Sequence, residues 1–326
     1  MRTPFPLLCL PRLALIPVFQ QMEFIDAIAF SFISKKTCNL SKILCKKISS
    51  CYIDMLIEND CLRMTIAPTN GSPLSLYFYT DVSKTVEGIY RYKIIQWKNA
   101  GLSIRQWMER LLDVTKFPSL RKVKLNGTPD YDVFSILDIV PKVSDLHISR
   151  NCTNTLAKRA LQILSPVTSS ITLFKLPFSN REEFQRFWLR DVECLSVSND
   201  NLSRFQFDID HLLASNAIKL ELLEVSMSLR DLNRFFSCWL NKTSNQRLEH
   251  LSVQSLGDFD EDILLNGLNA TRFTENRTRE FLSTNTFSQF RLFTGGFDVR
   301  RKDGKLAAIT FAKTFWTTYI NFHVLP

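Results

Sequence analysis

The sequence predicts an α/β chain: a short helical module, then a solenoid of strand–helix units on a parallel sheet, then a β-hairpin. Three observations predict it. A six-residue apolar pattern recurs in phase along the middle of the chain. Capped amphipathic helical patterns fall between its copies. An Asp-Gly pair sits between two alternating runs near the C-terminus. At 326 residues the chain has room for two or three domains.

The N-terminal stretch, residues 1–50, reads as compact helices. Its apolar residues include Leu10, Leu15, Val18, Phe19, Met22, Ile28, Phe30 and Phe32. Pro17 falls inside the first helical run, where its ring removes a hydrogen bond. Arg2 and the apolar run after it have the outline of a signal peptide. Arg12 and the prolines at 4, 6, 11 and 17 interrupt the run, so a helical module is expected there instead. Residues 51–102 read as a connecting segment. Within it Leu62, Met64 and Ile66 alternate, as do Leu74, Leu76 and Phe78, around Thr69–Pro73, which predicts a hairpin.

The third region, 103–326, carries the repeats. They run Leu120-x-x-Val123-x-Leu125, Val143-x-x-Leu146-x-Ile148, Thr168-x-x-Ile171-x-Leu173 and Val192-x-x-Leu195-x-Val197. Leu220-x-x-Leu223-x-Val225 and Leu248-x-x-Leu251-x-Val253 complete the set. Their last positions lie 23, 25, 24, 28 and 28 residues apart. That is within the ~20–29 of leucine-rich repeats. Ser103, Ser179 (with Glu182) and Ser228 (with Asp231) are expected to cap the intervening helices. Strands are expected at about 121–126, 144–149, 170–175, 193–198, 221–226 and 249–254, in parallel and in sequence order. Asp303-Gly304 supplies the positive-φ turn of a two-residue hairpin.

Side chains alternate along a strand, so the positions between the apolar ones face away from the helices. Lys122, Lys124, Phe174, Leu222 and Glu224 are the candidates there for holding a partner, with Phe174 and Leu222 as anchors. No catalytic residues are assigned, because no nucleophile–base pair or glycine-rich phosphate loop is present, and no enzyme activity is expected. No cofactor is implied. The eight cysteines form no C-x-x-C and the four histidines are far apart, so no metal site is expected. Those cysteines sit in apolar runs and read as reduced buried residues of a cytoplasmic or nuclear chain. The net charge of +9 is spread along the sequence without a stacking platform, so no nucleic-acid partner is expected. Apolar runs fall short of the ~20 residues that cross a bilayer, and no membrane association is expected.

The N-terminal stretch resembles an F-box. Leu10-Pro11 matches the family's opening Leu-Pro; Leu15, Val18, Phe19 and Met22 match its apolar helix positions; Ile33-Ser34-Lys35 matches its closing step. Phe5-Pro6-Leu7-Leu8-x-Leu10-Pro11 is similar to the opening of the expanded nematode F-box proteins. The C-terminal half resembles the F-box-associated domain of type 2 that follows in them. Asp231-Leu232-Asn233-Arg234-Phe235-Phe236, Trp239, Arg247–Val253 and Asp298-Val299-Arg300-Arg301 carry that likeness. The resemblance implies the substrate receptor of a Skp–cullin–F-box ubiquitin ligase. A Skp-family adaptor, and through it a cullin, would bind Leu10, Pro11, Leu15, Val18, Phe19, Met22, Ile28, Phe30 and Phe32. The region 103–326 would hold an unknown substrate protein. The alternative is a leucine-rich-repeat interaction scaffold with no ligase role.

Overall fold

The helices expected before residue 50 form over α1 (Arg12–Gln21), α2 (Phe24–Ile33) and α3 (Lys35–Leu44). The computed structural model describes residues 10–44, 51–68, 71–81, 83–98, 101–198, 207–225, 227–255, 259–279, 291–313 and 318–325. It divides into two units, Met1–Ser144 and Asp145–Pro326. Pro11 caps the start of α1, and the helix runs on through Pro17. A prolyl ring in a helix interior has no amide for the carbonyl four residues back. Because Pro17 is exposed, Pro17→Ala is expected to stabilise α1 by up to about 3 kcal/mol. Hydrogen exchange of the α1 amides checks this, as slower exchange than in the unsubstituted chain.

In α2, Asp26 is the only charged residue. A helix apolar nearly all round must be covered on most sides. One cover is α3, which turns a stripe of small residues inward: Thr37, Cys38 and Ser41 are buried. Ser34 links the two helices. Its Oγ accepts from the Thr37 amide at 3.2 Å, while its own amide donates to Thr37 Oγ1 at 2.8 Å. This reciprocal pair caps α3 in the manner of a capping box.

Residues 51–102 hold more than the expected hairpin. They form five strands: β1 (Cys51–Ile57), β2 (Cys61–Pro68), β3 (Leu74–Tyr79), β4 (Val86–Tyr90) and β5 (Lys93–Trp97). The anticipated hairpin is β2–β3, with Leu62 opposite Phe78, Met64 opposite Leu76 and Ile66 opposite Leu74. Each strand in the run is antiparallel to the next. Strand β1 also pairs in parallel with β6 (Ser119–Leu125). Ser103 caps α4 (Ile104–Thr115) through a full capping box with Gln106, and α5 (Val133–Leu137) follows β6. The segment is thus part of a core shared with the N-terminal helices. The Phe32 ring of α2 meets Trp107 of α4 at 4.8 Å, Trp97 of β5 at 5.7 Å and Phe78 of β3 at 6.3 Å.

The second unit contains most of the strand–helix units. After β7 (Lys142–Ile148) come α6 (Asn154–Leu164), β8 (Thr168–Leu173), α7 (Arg181–Trp188), β9 (Cys194–Ser198) and α8 (Ile209–Ala214). Next are β10 (Lys219–Leu223), α9 (Leu229–Leu240), β11 (His250–Ser255) and α10 (Glu261–Leu265). Strands β8 to β11 pair in parallel in sequence order, as expected. The parallel run stops there. β12 (Thr271–Arg279), β13 (Arg291–Arg300), β14 (Leu306–Lys313) and β15 (Thr318–Val324) form an antiparallel set, and β15 is antiparallel to β11. The chain is therefore α/β, with a helical N-terminal region and a mixed sheet in which parallel strand–helix units are one part. The regular leucine-rich-repeat solenoid expected from the spacing does not describe this sheet, because antiparallel strands flank the repeats.

One repeat is read in the wrong register from sequence. Leu220 pairs with Leu195 and Leu251, and Leu222 pairs with Val197 and Val253. The copy in β10 is therefore Ala217-x-x-Leu220-x-Leu222, three residues earlier than Leu220-x-x-Leu223-x-Val225. An odd shift exchanges the two faces of a strand. Leu222, expected on the open face, is instead wholly buried in the core at 0% exposure. Two smaller corrections concern ends. Asn180, not Ser179, caps α7, its side chain accepting from the Glu183 amide at 2.9 Å. The β13–β14 turn has three residues, Lys302–Gly304, closed by the Arg301 amide donating to the Lys305 carbonyl at 2.8 Å. Gly304 at φ 90 takes the left-handed position that such three-residue turns need.

Among the described cysteines, those at 38, 61, 152 and 194 are buried. Burial pushes the Cys61 and Cys194 thiols up to about 11, so both stay protonated and unreactive at neutral pH.

Candidate functional site

Two surfaces present groups for recognition, one in each unit. The first is the exterior of the three N-terminal helices. Of the residues expected to face an adaptor, Leu15, Phe19, Ile28 and Phe32 are buried. Leu15 and Phe19 form a small core packed by Leu10, Ile16, Met22, Phe30 and Leu40, and the Phe19 and Phe30 rings meet edge-on at 5.2 Å. Leu10, Val18, Met22 and Phe30 are half-buried, and Pro11 is exposed.

The large apolar groups that face outward are different ones. Leu13 on α1 is 81% exposed, Ile33 at the end of α2 is 65% exposed and Ile43 on α3 is 57% exposed. Single exposed apolar residues are normal on a protein surface, and these three are the large apolar groups that the described part of the module leaves in solvent. The exposure of Ile43 follows from the packing of α3. In Lys35–Leu44 the buried stripe is small and polar, so Ile43 lies off the stripe that packs.

The second surface lies at the carboxyl ends of the parallel strands of unit 2, where ligands gather in open α/β sheets. Arg150 follows β7, Phe174 follows β8, Ser198 ends β9, Glu224 follows β10 and Gln254 lies in β11. These residues are joined by hydrogen bonds. Arg150 donates through Nε to the Phe174 carbonyl at 3.2 Å and through Nη2 to Ser198 Oγ at 3.2 Å, and it pairs with the Glu224 carboxylate. Ser198 Oγ donates to Glu224 Oε2 at 2.9 Å, and the Glu224 amide donates to Gln254 Oε1 at 3.2 Å. Glu224 sits at φ 53, a left-handed backbone that a non-glycine residue adopts at a cost of about 1–3 kcal/mol. The network holds that conformation and leaves both charged groups part-exposed.

Of the five candidates for partner binding, Phe174 and Glu224 are thus brought together, through Arg150. Phe174 is half-buried, 6.4 Å from the buried His147 ring. Leu222 belongs to the core, for the register reason given above. Lys122 and Lys124 lie on β6 in the other unit. Thr172, Ser196 and Ser252, which fall between the apolar positions of their repeats, are almost fully buried. Ser196 instead donates to Glu221 Oε2 at 2.8 Å. Arg150 was missed by sequence reading, since it lies two residues beyond the repeat pattern and only the strand ends bring it to Glu224.

Among the described residues no helix is long and apolar enough to cross a membrane, and no three His, Cys, Asp or Glu side chains gather to hold a metal ion. Compared with known proteins, residues 7–49 match the F-box domain, and residues 183–253 match the F-box associated domain of type 2. No curated protein and no solved structure matches the chain.

Proposed function

We propose that this F-box protein, its F-box followed by an F-box associated domain, is the substrate receptor of a Skp–cullin–F-box ubiquitin ligase. The observation that carries the reading is the order of the two domains in one chain. F-box domains bind a Skp-family adaptor, and the exposed Leu13, Ile33 and Ile43 are the apolar groups such a contact would cover. The receptor does no bond chemistry of its own. It holds a substrate's lysines near a charged conjugating enzyme, an effect of effective concentration. The test is co-expression with a Skp adaptor and recovery of a stoichiometric complex on size exclusion. Leu10→Ala with Pro11→Ala should weaken that complex and leave the circular dichroism unchanged. Loss of the fold would assign those residues to packing alone.

In this reading the substrate contacts the carboxyl-end surface of unit 2, with Phe174 as the apolar anchor and Arg150–Glu224 as the orienting charges. Phe174→Ala with Glu224→Ala is expected to reduce substrate recovery in proximity labelling, with adaptor binding unchanged. The same partners recovered from the double variant would remove this surface from consideration.

One observation favours the rival reading, an interaction scaffold without a ligase role. Phe32 ties the N-terminal helices to three other rings of unit 1, as a purely structural cap would do. Failure to bind any Skp adaptor with the fold intact would select that reading.

A further inference from the structure

A groove of about 300 Å³ opens between α6 and α7, on elements that the proposed contacts do not use. Its floor is apolar: Leu161, Phe178 and Phe187, the two rings 5.2 Å apart. Its rim is mostly cationic, with Lys158, Arg186 and Arg190 set against one carboxylate, Glu183. Glu183 is already engaged. Lys158 Nζ donates to it at 2.6 Å and the Ser179 amide at 3.1 Å. Those contacts hold its carboxyl below the usual carboxylate range, so it stays ionised and neutralises Lys158.

The two arginines are less committed. Arg186 pairs with Glu182 one turn back, and both side chains are 74% exposed. Such a pair contributes little and exchanges partners readily. Arg190 donates to Ser165 Oγ, a neutral hydroxyl. The groove is at the small end of the ~300–1,000 Å³ that houses a drug-sized ligand, so it suits one inserted side chain better than a cofactor. Arginine forks prefer carboxylates in paired geometry.

From this geometry we infer that the α6–α7 groove docks an acidic peptide segment. One apolar side chain enters over Leu161, Phe178 and Phe187, and flanking Asp or Glu carboxylates meet Arg186 and Arg190. The match to the F-box associated domain begins at residue 183, so only the α7 wall of the groove falls within it.

Fluorescence anisotropy on the full chain tests this. The probe is fluorescein-labelled Glu-Glu-Phe-Glu-Glu with an amidated C-terminus. Saturable binding is expected, at least tenfold weaker for Arg186→Glu with Arg190→Glu. It should be lost when the central Phe is replaced by Gly, and weakened by raising the salt from 0.1 to 0.5 M, as screening requires. Equal binding of Lys-Lys-Phe-Lys-Lys, or no change in the double variant, would overturn the inference. If Arg190→Glu lowers the melting temperature by freeing Ser165, Arg186→Glu alone decides. A loss of threefold or more supports the site, and unchanged affinity removes it. Neither probe nor variants touch residues 10–44, so failure of the adaptor reading would leave this outcome intact.

Discussion

Phe32→Ala is expected to destabilise the first unit by about 3–5 kcal/mol, the range for removing a buried phenylalanine and leaving a cavity. Phe32 is buried and edge-on to Trp107, Trp97 and Phe78, so it fastens α2 to α4, β5 and β3 together. A typical domain has only about 5–15 kcal/mol of stability, so this one truncation removes a large share. Urea unfolding followed by tryptophan fluorescence reads it directly, because two of the ring partners are tryptophans. Phe32→Leu keeps most of the volume and should lose far less. A loss below about 1 kcal/mol for the alanine variant would mean that the helices are held to the strands by other contacts. Adaptor binding should fall in parallel with stability, as a consequence of unfolding and not of a lost contact.

The second large effect should show the opposite signature. Ile33→Asp with Ile43→Asp is expected to weaken adaptor binding by more than about 100-fold. Central apolar residues of an interface are often worth about 2 kcal/mol or more each, and about 1.4 kcal/mol is a factor of ten. Both side chains are more than half exposed in the free chain. Their replacement removes little packing, but each Asp lies in the last turn of its helix, where the helix dipole disfavours an anion by about 0.3–1 kcal/mol, so a modest stability loss is expected. Isothermal titration with purified adaptor, alongside a thermal melt, separates the two quantities. Unchanged affinity in the double variant would move the contact to other exposed residues of the same module, Leu13, at 81% exposure, and Pro11.

These two variants mark the limit of what periodicity reveals in a helical module. Leu15 and Phe19, two of the apolar residues that carry the resemblance to an F-box, are spent on the core of the module. The residues free to meet a partner are those the pattern leaves over. In α3 the buried stripe is Thr37, Cys38 and Ser41, which no hydropathy pattern would select as core. They are chosen because small side chains let α3 approach α2, with Ser41 Oγ donating to the Ala27 carbonyl at 3.4 Å. That is a property of the helix pair and not of either sequence alone.

For the strands, local pattern was enough wherever the apolar positions were unambiguous. Leu195 and Val197, or Leu251 and Val253, admit one inward register. In β10 the run Lys219-Leu220-Glu221-Leu222-Leu223 admits two, because leucines occupy both parities. The choice was made by the neighbours, which align Leu220 and Leu222 with Leu195 and Val197 on one side and Leu251 and Val253 on the other.

The sequence by itself determined the α/β class, the helical start, the sites of most strands and helices, and the capping of α4 and α9 by Ser103 and Ser228. All of these follow from contacts within a few residues of the chain: periodicity, caps and turn chemistry. Only the tertiary structure decided that residues 51–102 share a core with the N-terminal helices. It alone decided that β15 pairs antiparallel with β11, that Leu222 faces inward, and that Arg150 reaches Glu224 across 74 residues of chain. Each of these depends on which elements become neighbours in space. That choice is made by burying rings such as Phe32 and Phe322 against distant partners, and it leaves no local trace in the residues that carry it out.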